Sequence, residues 1–261
     1  MKEQIRTFLP ACPWRDSILY FDTIDSTNTQ AKALAAQGAP RGTVLIADHQ
    51  TGGRGRLGRS FLSPAGTGIY MSVIIRPNCP PARLMHLTCA VAVAMCDAVE
   101  AAVGFRPGIK WTNDLVYRGK KLAGVLTELG LSPTGTVDWA VIGVGINCLQ
   151  RPEDFAPAIR DMAGSLAMFS SNVDRARVAA AMIDTLHRMD LSDKSSIMER
   201  YRADCMTLGK DVSLIRPGCE ARHGKAVAID DDGALVVEFG PGLTETVNSG
   251  EISVRGMYGY V

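Results

Sequence analysis

The sequence has no CxxC pair, no HxxxH spacing among its four histidines, and an odd number of cysteines, seven. These absences argue against a disulfide framework and against a zinc ion held by protein ligands alone. Cys89 and Cys96 fall on one face of the same expected helix, as small buried thiols do in a reducing compartment. Charge of one sign is also missing: 28 Lys and Arg against 27 Asp and Glu leave a net +1. No global field draws such a chain to nucleic acid or to a membrane surface, so any recognition of anions must be local. The longest uncharged apolar run, Leu84 to Cys96, is too short to span a bilayer and contains His86. The opening segment, MKEQIRTFLPACPWRDS, lacks the continuous apolar core of a signal peptide. A cytoplasmic protein is expected, with neither a membrane nor a nucleic-acid partner.

What is present suffices for a sizeable core: 261 residues, of which 46% are hydrophobic. Residues 18 to 208 mix helix and strand patterns. The stretch STNTQAKALAAQG, Ser26 to Gly38, carries a capping residue, apolar residues at helical spacing and a terminal glycine. TVLIAD and GIYMSVII read as strands, Arg83 to Val103 as a buried helix, and LAGVLTEL and WAVIGVGIN as further strands. Arg175 to Met189 and Ile197 to Met206 read as helices. Strands interspersed with helices imply a mixed α/β sheet. From Gly209 the texture changes to short β runs, DVSLI, KAVAID, ALVVEF and ISVRG, with a hairpin expected at Asp232-Gly233. A small C-terminal β-barrel fits this tail.

Between the first two strands lies GGRGRLGR, Gly52 to Arg59, three arginines on a glycine-rich backbone. GRGRLG has the form of a dinucleotide fingerprint, but a Pro- and Gly-containing stretch and then a strand follow it, where that fold requires a helix N-terminus. A solvated basic turn is the bland alternative. Arginine forks suit phosphate and carboxylate, and glycines admit close backbone approach, so the loop reads as built around a substrate anion. KWTNDL, Lys110 to Leu115, and GKKLAGVLTEL, Gly119 to Leu129, form a second cluster. Lys121 enters an apolar strand there, where its ammonium can meet a phosphate or a reacting carboxylate. IDSTN, Ile24 to Asn28, can cap the following helix and also present free N–H groups to a ligand.

Taken in order, IDSTN, HQTGGRGRLGR, GIYMS, KWTNDL, KLAGVLTEL and VIGVGIN resemble the biotin protein ligase family. The resemblance implies an α/β (α+β) catalytic domain of the class II aminoacyl-tRNA synthetase type, residues 1–208 with an N-terminal arm over about 1–17. A small SH3-like β-barrel over residues 209–261 follows. It also implies an enzyme that takes biotin and ATP as substrates, with Mg²⁺ carried by the ATP phosphates. Biotin's carboxylate attacks the α-phosphate, pyrophosphate leaves, and the biotinyl-adenylate passes biotin to a lysine of a biotin carboxyl carrier protein.

Residue by residue, the resemblance places Arg54, Lys121 and Asp114 in catalysis, Asp114 orienting or deprotonating the incoming amine. Ser26, Thr27, Asn28, Gln50, Gly53, Arg54, Gly55, Arg56, Ser72, Lys121 and Gly124 would bind biotin, with Val144 and Ile146 in the pocket wall. Arg56, Arg59, Asn113, Lys121 and Asn147 would bind ATP and the adenylate. Phe61 stands where relatives often carry Trp, and Gly52 where they usually carry Ala. A DNA-binding repressor module is not expected, because fewer than thirty residues precede IDSTN and two of them are proline. A lipoate ligase of the same fold is the nearest alternative, and a non-catalytic nucleotide-binding module a more distant one. Whether the chain forms a homodimer is left open by the linear sequence.

Overall fold

The structure, a computed structural model, describes residues 1–216, 218–248 and 253–256, the last four by backbone alone. The N-terminal arm is helix α1 (Lys2–Thr7) and a 3-10 turn (Pro13–Ser17). Ile5, Leu9 and Trp14 of this arm are buried in the main core, so it packs as part of the fold.

Seven strands form the main sheet: β1 (Ile18–Ile24), β2 (Val44–Gln50), β3 (Gly68–Ile75), β4 (Gly108–Lys110), β5 (Asp114–Tyr117), β6 (Lys120–Leu131) and β7 (Val137–Asn147). Their order is β1-β2-β3-β7-β6-β5-β4, with β1 and β2 parallel and the other pairs antiparallel. All eight residues of β3 are buried, as its unbroken apolar run requires of a strand covered on both faces. On one face sits α2 (Thr27–Ala36), packed through Ala31 and Ala35 onto Leu45, Ile74 and Val141. Ser26 caps it by accepting from the Thr29 N–H, and Gly38, at φ +91°, lies just beyond its end.

The other face carries α3 (Leu87–Val103), α4 (Arg175–Arg188) and α5 (Lys194–Asp204). Twelve of the seventeen residues of α3 are buried, which makes it the central core helix. The segment Pro81–Val103 is apolar and long enough to cross a membrane by length and composition, but most of it is buried inside the fold. The helix expected from Arg83 begins at Leu87, after a 3-10 turn over Pro81–Leu84. Prolines lack the N–H that a regular helix would use there. Similarly α5 starts earlier than the apolar pattern suggests, because Asp193 caps it by accepting from Ser196 N–H.

The tail holds β8 (Asp211–Ile215), β9 (Arg222–Ile229), β10 (Leu235–Gly240), β11 (Leu243–Val247) and β12 (Ser253–Gly256). They form an antiparallel sheet in the order β11-β10-β9-β8-β12. The expected hairpin joins β9 to β10, with Gly233 at φ +88° in the turn. The tip of this hairpin meets the first unit: the Trp111 indole N–H donates to the Gly233 carbonyl at 2.9 Å, and Lys194 pairs with Asp232 at 2.5 Å. Ile252, the first residue of the expected ISVRG run, lies outside the described residues, as do residues 257–261 of the expected barrel.

Candidate active site

A cavity of about 460 Å³ opens on the α2 face of the main sheet, bordered by the arginine loop. That volume suits a small ligand. Glycines carve its floor. Gly124 of β6 pairs with Gly145 of β7, and Gly143 pairs with both Leu126 and Ser72. A Cβ on Gly143 would collide with the Asn28 carboxamide, and one on Gly145 would come within 2.6 Å of the Phe61 ring. Glycines two apart on one strand share a face, so VIGVGIN already carried the sign of a trough.

At one end the walls are neutral and polar. Gln50 Oε1 accepts from the Thr27 N–H at 2.8 Å and from the Thr27 hydroxyl at 3.1 Å, while its Nε2 donates to Ser63 Oγ at 2.9 Å. The Asn28 amide donates to Glu128 Oε2 at 2.9 Å and its oxygen lies 2.6 Å from Ser72 Oγ. Lys32 Nζ reaches the other Glu128 oxygen at 2.5 Å. Burial pushes the Glu128 carboxyl up, but the hydrogen bonds from Lys32 and Asn28 outweigh it and hold the group below its ordinary value.

The opposite end is cationic. Arg54, Arg56, Arg59, Lys110 and Lys121 all line the cavity. The loop is pinched shut as a short hairpin: Gly55 N–H donates to the Arg59 carbonyl at 2.7 Å, and Phe61 N–H to the Gly53 carbonyl at 2.9 Å. Leu57 and Gly58 take left-handed backbone at its tip, at φ 55° and 72°. Arg56 Nη1 donates to Asn113 Oδ1 at 2.8 Å, and Asn113 Nδ2 to the Val125 carbonyl, which joins the loop to β6. Burial lowers the pKa of the Arg56 guanidinium, with Asp114 opposing the shift. Lys121 Nζ lies 2.6 Å from Asp114 Oδ1.

Of the residues the sequence nominated, Ser26, Thr27, Asn28, Gln50, Arg54, Gly55, Arg56, Arg59, Asn113, Asp114, Lys121, Gly124 and Val144 line this one cavity. Four do not. Ser72 is fully buried behind it, with its hydroxyl 2.8 Å from Thr27 Oγ1, so it braces the wall without forming it. Gly53 is pressed against the Phe61 carbonyl, where no Cβ fits, and its task is to close the loop upon itself. Asn147 is buried outside the lining, where it donates to the Gly164 carbonyl at 2.9 Å and accepts from Gln150 at 3.2 Å. Ile146 is buried in the main core. Ser63 and Glu128 with Lys32 carry no local sign, because their parts depend on contacts across 13 to 100 residues of sequence, and Lys110 and the glycines of β7 join them among the residues not singled out. Elsewhere, Cys12 meets Asp184 and His187, an i,i+3 pair on α4, with donor atoms within 4.8 Å of one another. Arg188 holds Asp184 at 2.6 Å and burial raises the thiol pKa, so this is packing of a neutral cysteine.

Residues 20–147 match the family model described as the biotin/lipoate A/B protein ligase family, and residues 207–255 match the biotin protein ligase C terminal domain. The biotin–[acetyl-CoA-carboxylase] ligase of Mycobacterium tuberculosis is 35% identical over 92% of this chain and 89% of its own length. The chain belongs to the biotin protein ligase family. The bifunctional ligase/repressor BirA of Bacillus spizizenii is 38% identical over 87% of this chain and 70% of that relative. Among solved structures, biotin protein ligase from Aquifex aeolicus in complex with biotin and ATP superposes with a TM-score of 0.74 at 29% identity, covering 92% of this chain and 98% of that one. Membership of this family accounts for the mixed sheet with a separate antiparallel tail.

Proposed function

We propose that this chain is an ATP-dependent biotin protein ligase. The observation that carries the reading is a single cavity with a neutral hydrogen-bonding end and a cationic end. Biotin has the same polarity, a neutral ureido ring at one end of the molecule and a carboxylate at the other. Ser26, Thr27, Asn28 and Gln50 would face the ring. The carboxylate would then point toward Arg54, Arg56 and Lys121.

Joining biotin to ATP requires two anions to meet. The biotin carboxylate oxygen forms a bond to the α-phosphorus while the bond to the bridging oxygen of pyrophosphate breaks. Arg54, Arg56, Arg59 and Lys121 offset the repulsion and stabilise charge growing on the phosphoryl oxygens. Pyrophosphate leaves, and biotinyl-adenylate remains under the loop, sheltered from water. The amine of a carrier-protein lysine next attacks the acyl carbon, the amide forms, and AMP departs. That amine must be deprotonated, and Asp114 is the carboxylate at hand. Its ion pair with Lys121 couples the two steps: when Lys121 turns to the phosphate, Asp114 is released for the amine.

Mg²⁺ would enter with the triphosphate. Asn113 and Asp114 supply oxygen donors of the hard type that suits it, but Arg56 and Lys121 already engage them, so the phosphates would carry most of its coordination. The same reading divides the chain into a catalytic part, residues 1–208, and a tail, residues 209–261. The acceptor is a biotin carboxyl carrier protein. Lipoate, whose ring offers no ureido group, makes poor use of the Thr27, Asn28 and Gln50 network. Exchange of labelled pyrophosphate into ATP tests the proposal: it is expected with biotin and absent with lipoate. Exchange that depends on lipoate, or on neither acid, would sink it.

A further inference from the structure

The Asn28 carboxamide is fixed in orientation. Its Nδ2 donates to Glu128 Oε2 at 2.9 Å and lies 3.4 Å from the Leu126 carbonyl, so its N–H groups are turned toward β6. Its oxygen faces the Ser72 hydroxyl at 2.6 Å. Reversing the amide would leave Ser72 a partner, because a hydroxyl can also accept, but would set the oxygen against a carboxylate that can only accept, so Glu128 fixes the orientation. Glu128 is in turn held by Lys32 at 2.5 Å, across from α2 to β6, and neither Lys32 nor Glu128 lines the cavity.

Two consequences follow from this arrangement. With its donors committed to the protein, Asn28 has only acceptor capacity left for an occupant. Gln50 is its complement: its Oε1 already accepts twice from Thr27, and Nε2, with one N–H on Ser63, keeps one donor. Lys32 also cancels the Glu128 charge, so a carboxylate can orient Asn28 without making this end of the cavity repel an anionic ligand. We infer that Lys32 and Glu128 are positioning residues that keep the Asn28 N–H groups away from the cavity it lines, leaving the second acceptor site of its oxygen as the only hydrogen-bonding capacity of its carboxamide open to an occupant, and thereby select an occupant whose ring presents N–H groups there. The inference rests on the biotin reading, because the ureido ring of biotin carries two N–H groups and the dithiolane of lipoate none.

The test is calorimetric titration of wild type, Lys32→Met and Glu128→Gln with biotin, with biotin methylated at a ureido nitrogen, and with ATP. Wild type is expected to prefer biotin to its methylated form. Both variants should lose about tenfold in biotin affinity, the scale of one misdirected hydrogen bond. Affinity for methylated biotin should change little, so the preference narrows, while ATP binding stays as in wild type. A preference left intact in both variants overturns the inference, and so does equal loss of the two biotins, which marks a merely structural role. Wild type that binds no biotin overturns the functional reading itself. Lys32→Met alters a half-buried side chain that belongs to neither core cluster, so it decides the matter even if Glu128→Gln fails to fold.

Discussion

At the neutral end of the cavity, Thr27, Asn28 and Gln50 are held by Ser63, Ser72, Glu128 and Lys32, side chains borne on strands, on α2 and on the segment leading into β3. At the cationic end, Arg56 and Arg59 ride on a short pinched loop, whose Arg54 also acts on Glu128 behind the neutral end. Arg56 and Lys121 are tied to Asn113 and Asp114. The first end is finished before any ligand arrives. The second consists of charges parked on local partners, which a substrate anion can take over. Rigid recognition at one end and exchangeable charge at the other suit a ligand that must be bound by its ring and activated at its carboxylate.

The strongest way to break this comparison is to remove one exchangeable charge. Arg54→Ala and Lys121→Ala should each slow adenylate formation by about a hundredfold or more, roughly 3 kcal/mol in barrier height, on the scale of losing one oxyanion donor. Single-turnover release of pyrophosphate measures this. Biotin affinity in the absence of ATP should fall far less, since the ring contacts remain. Rates equal to wild type in both variants would refute the assigned roles.

A smaller effect is expected at the neutral end. Gly143→Ala puts a methyl group into the space of the Asn28 carboxamide, whose neighbours Ser72 and Glu128 leave it no room to retreat. Overpacking of this kind costs about 1–3 kcal/mol. Thermal unfolding should register the loss, and biotin affinity should fall by about tenfold as Asn28 is displaced. An alanine variant with unchanged affinity would show that the finished end is more pliant than its hydrogen bonds imply.

The two ends also differ in how far the linear sequence exposes them. Arg54, Arg56, Arg59 and Lys121 stand out because charge beside glycine, or at the entry to an apolar strand, is locally unusual. Ser72 and Asn147 were nominated with them, yet both turn inward to brace neighbours, because a small polar residue in a strand carries no sign of which face it serves. Glu128 and Lys32 stayed hidden for a related reason: each is an ordinary charged residue until α2 and β6 meet. Elements with strong periodicity, such as α2, α3, β3 and β7, were legible. Strand β1, the three-residue β4, β5 and the polar-alternating β11 were not, since their pairing comes from neighbours more than from their own composition. The tail's antiparallel texture was legible, whereas its docking through Trp111 was not, being a contact over 122 residues of sequence.

That docking sharpens the comparison at its mildest point. Trp111 lines the cavity near the cationic end and sends its indole N–H to the Gly233 carbonyl in the β9–β10 turn. The cationic end is thus buttressed from the tail, whereas among the described residues the neutral end is held by the main sheet, α2 and the arginine-loop exit. Trp111→Phe keeps much of the ring packing and removes this one donor, leaving a buried carbonyl to find another. The cost should be about 1 kcal/mol in stability. Amide hydrogen exchange should quicken in the 230–234 turn, where Ala234 and Gly233 N–H groups are otherwise tied to Asp230. Adenylate formation should slow by a few-fold while biotin affinity stays level, because the lost bond supports only the end that handles phosphate. If biotin affinity fell instead, the tail would be supporting both ends, and the division drawn between them would fail.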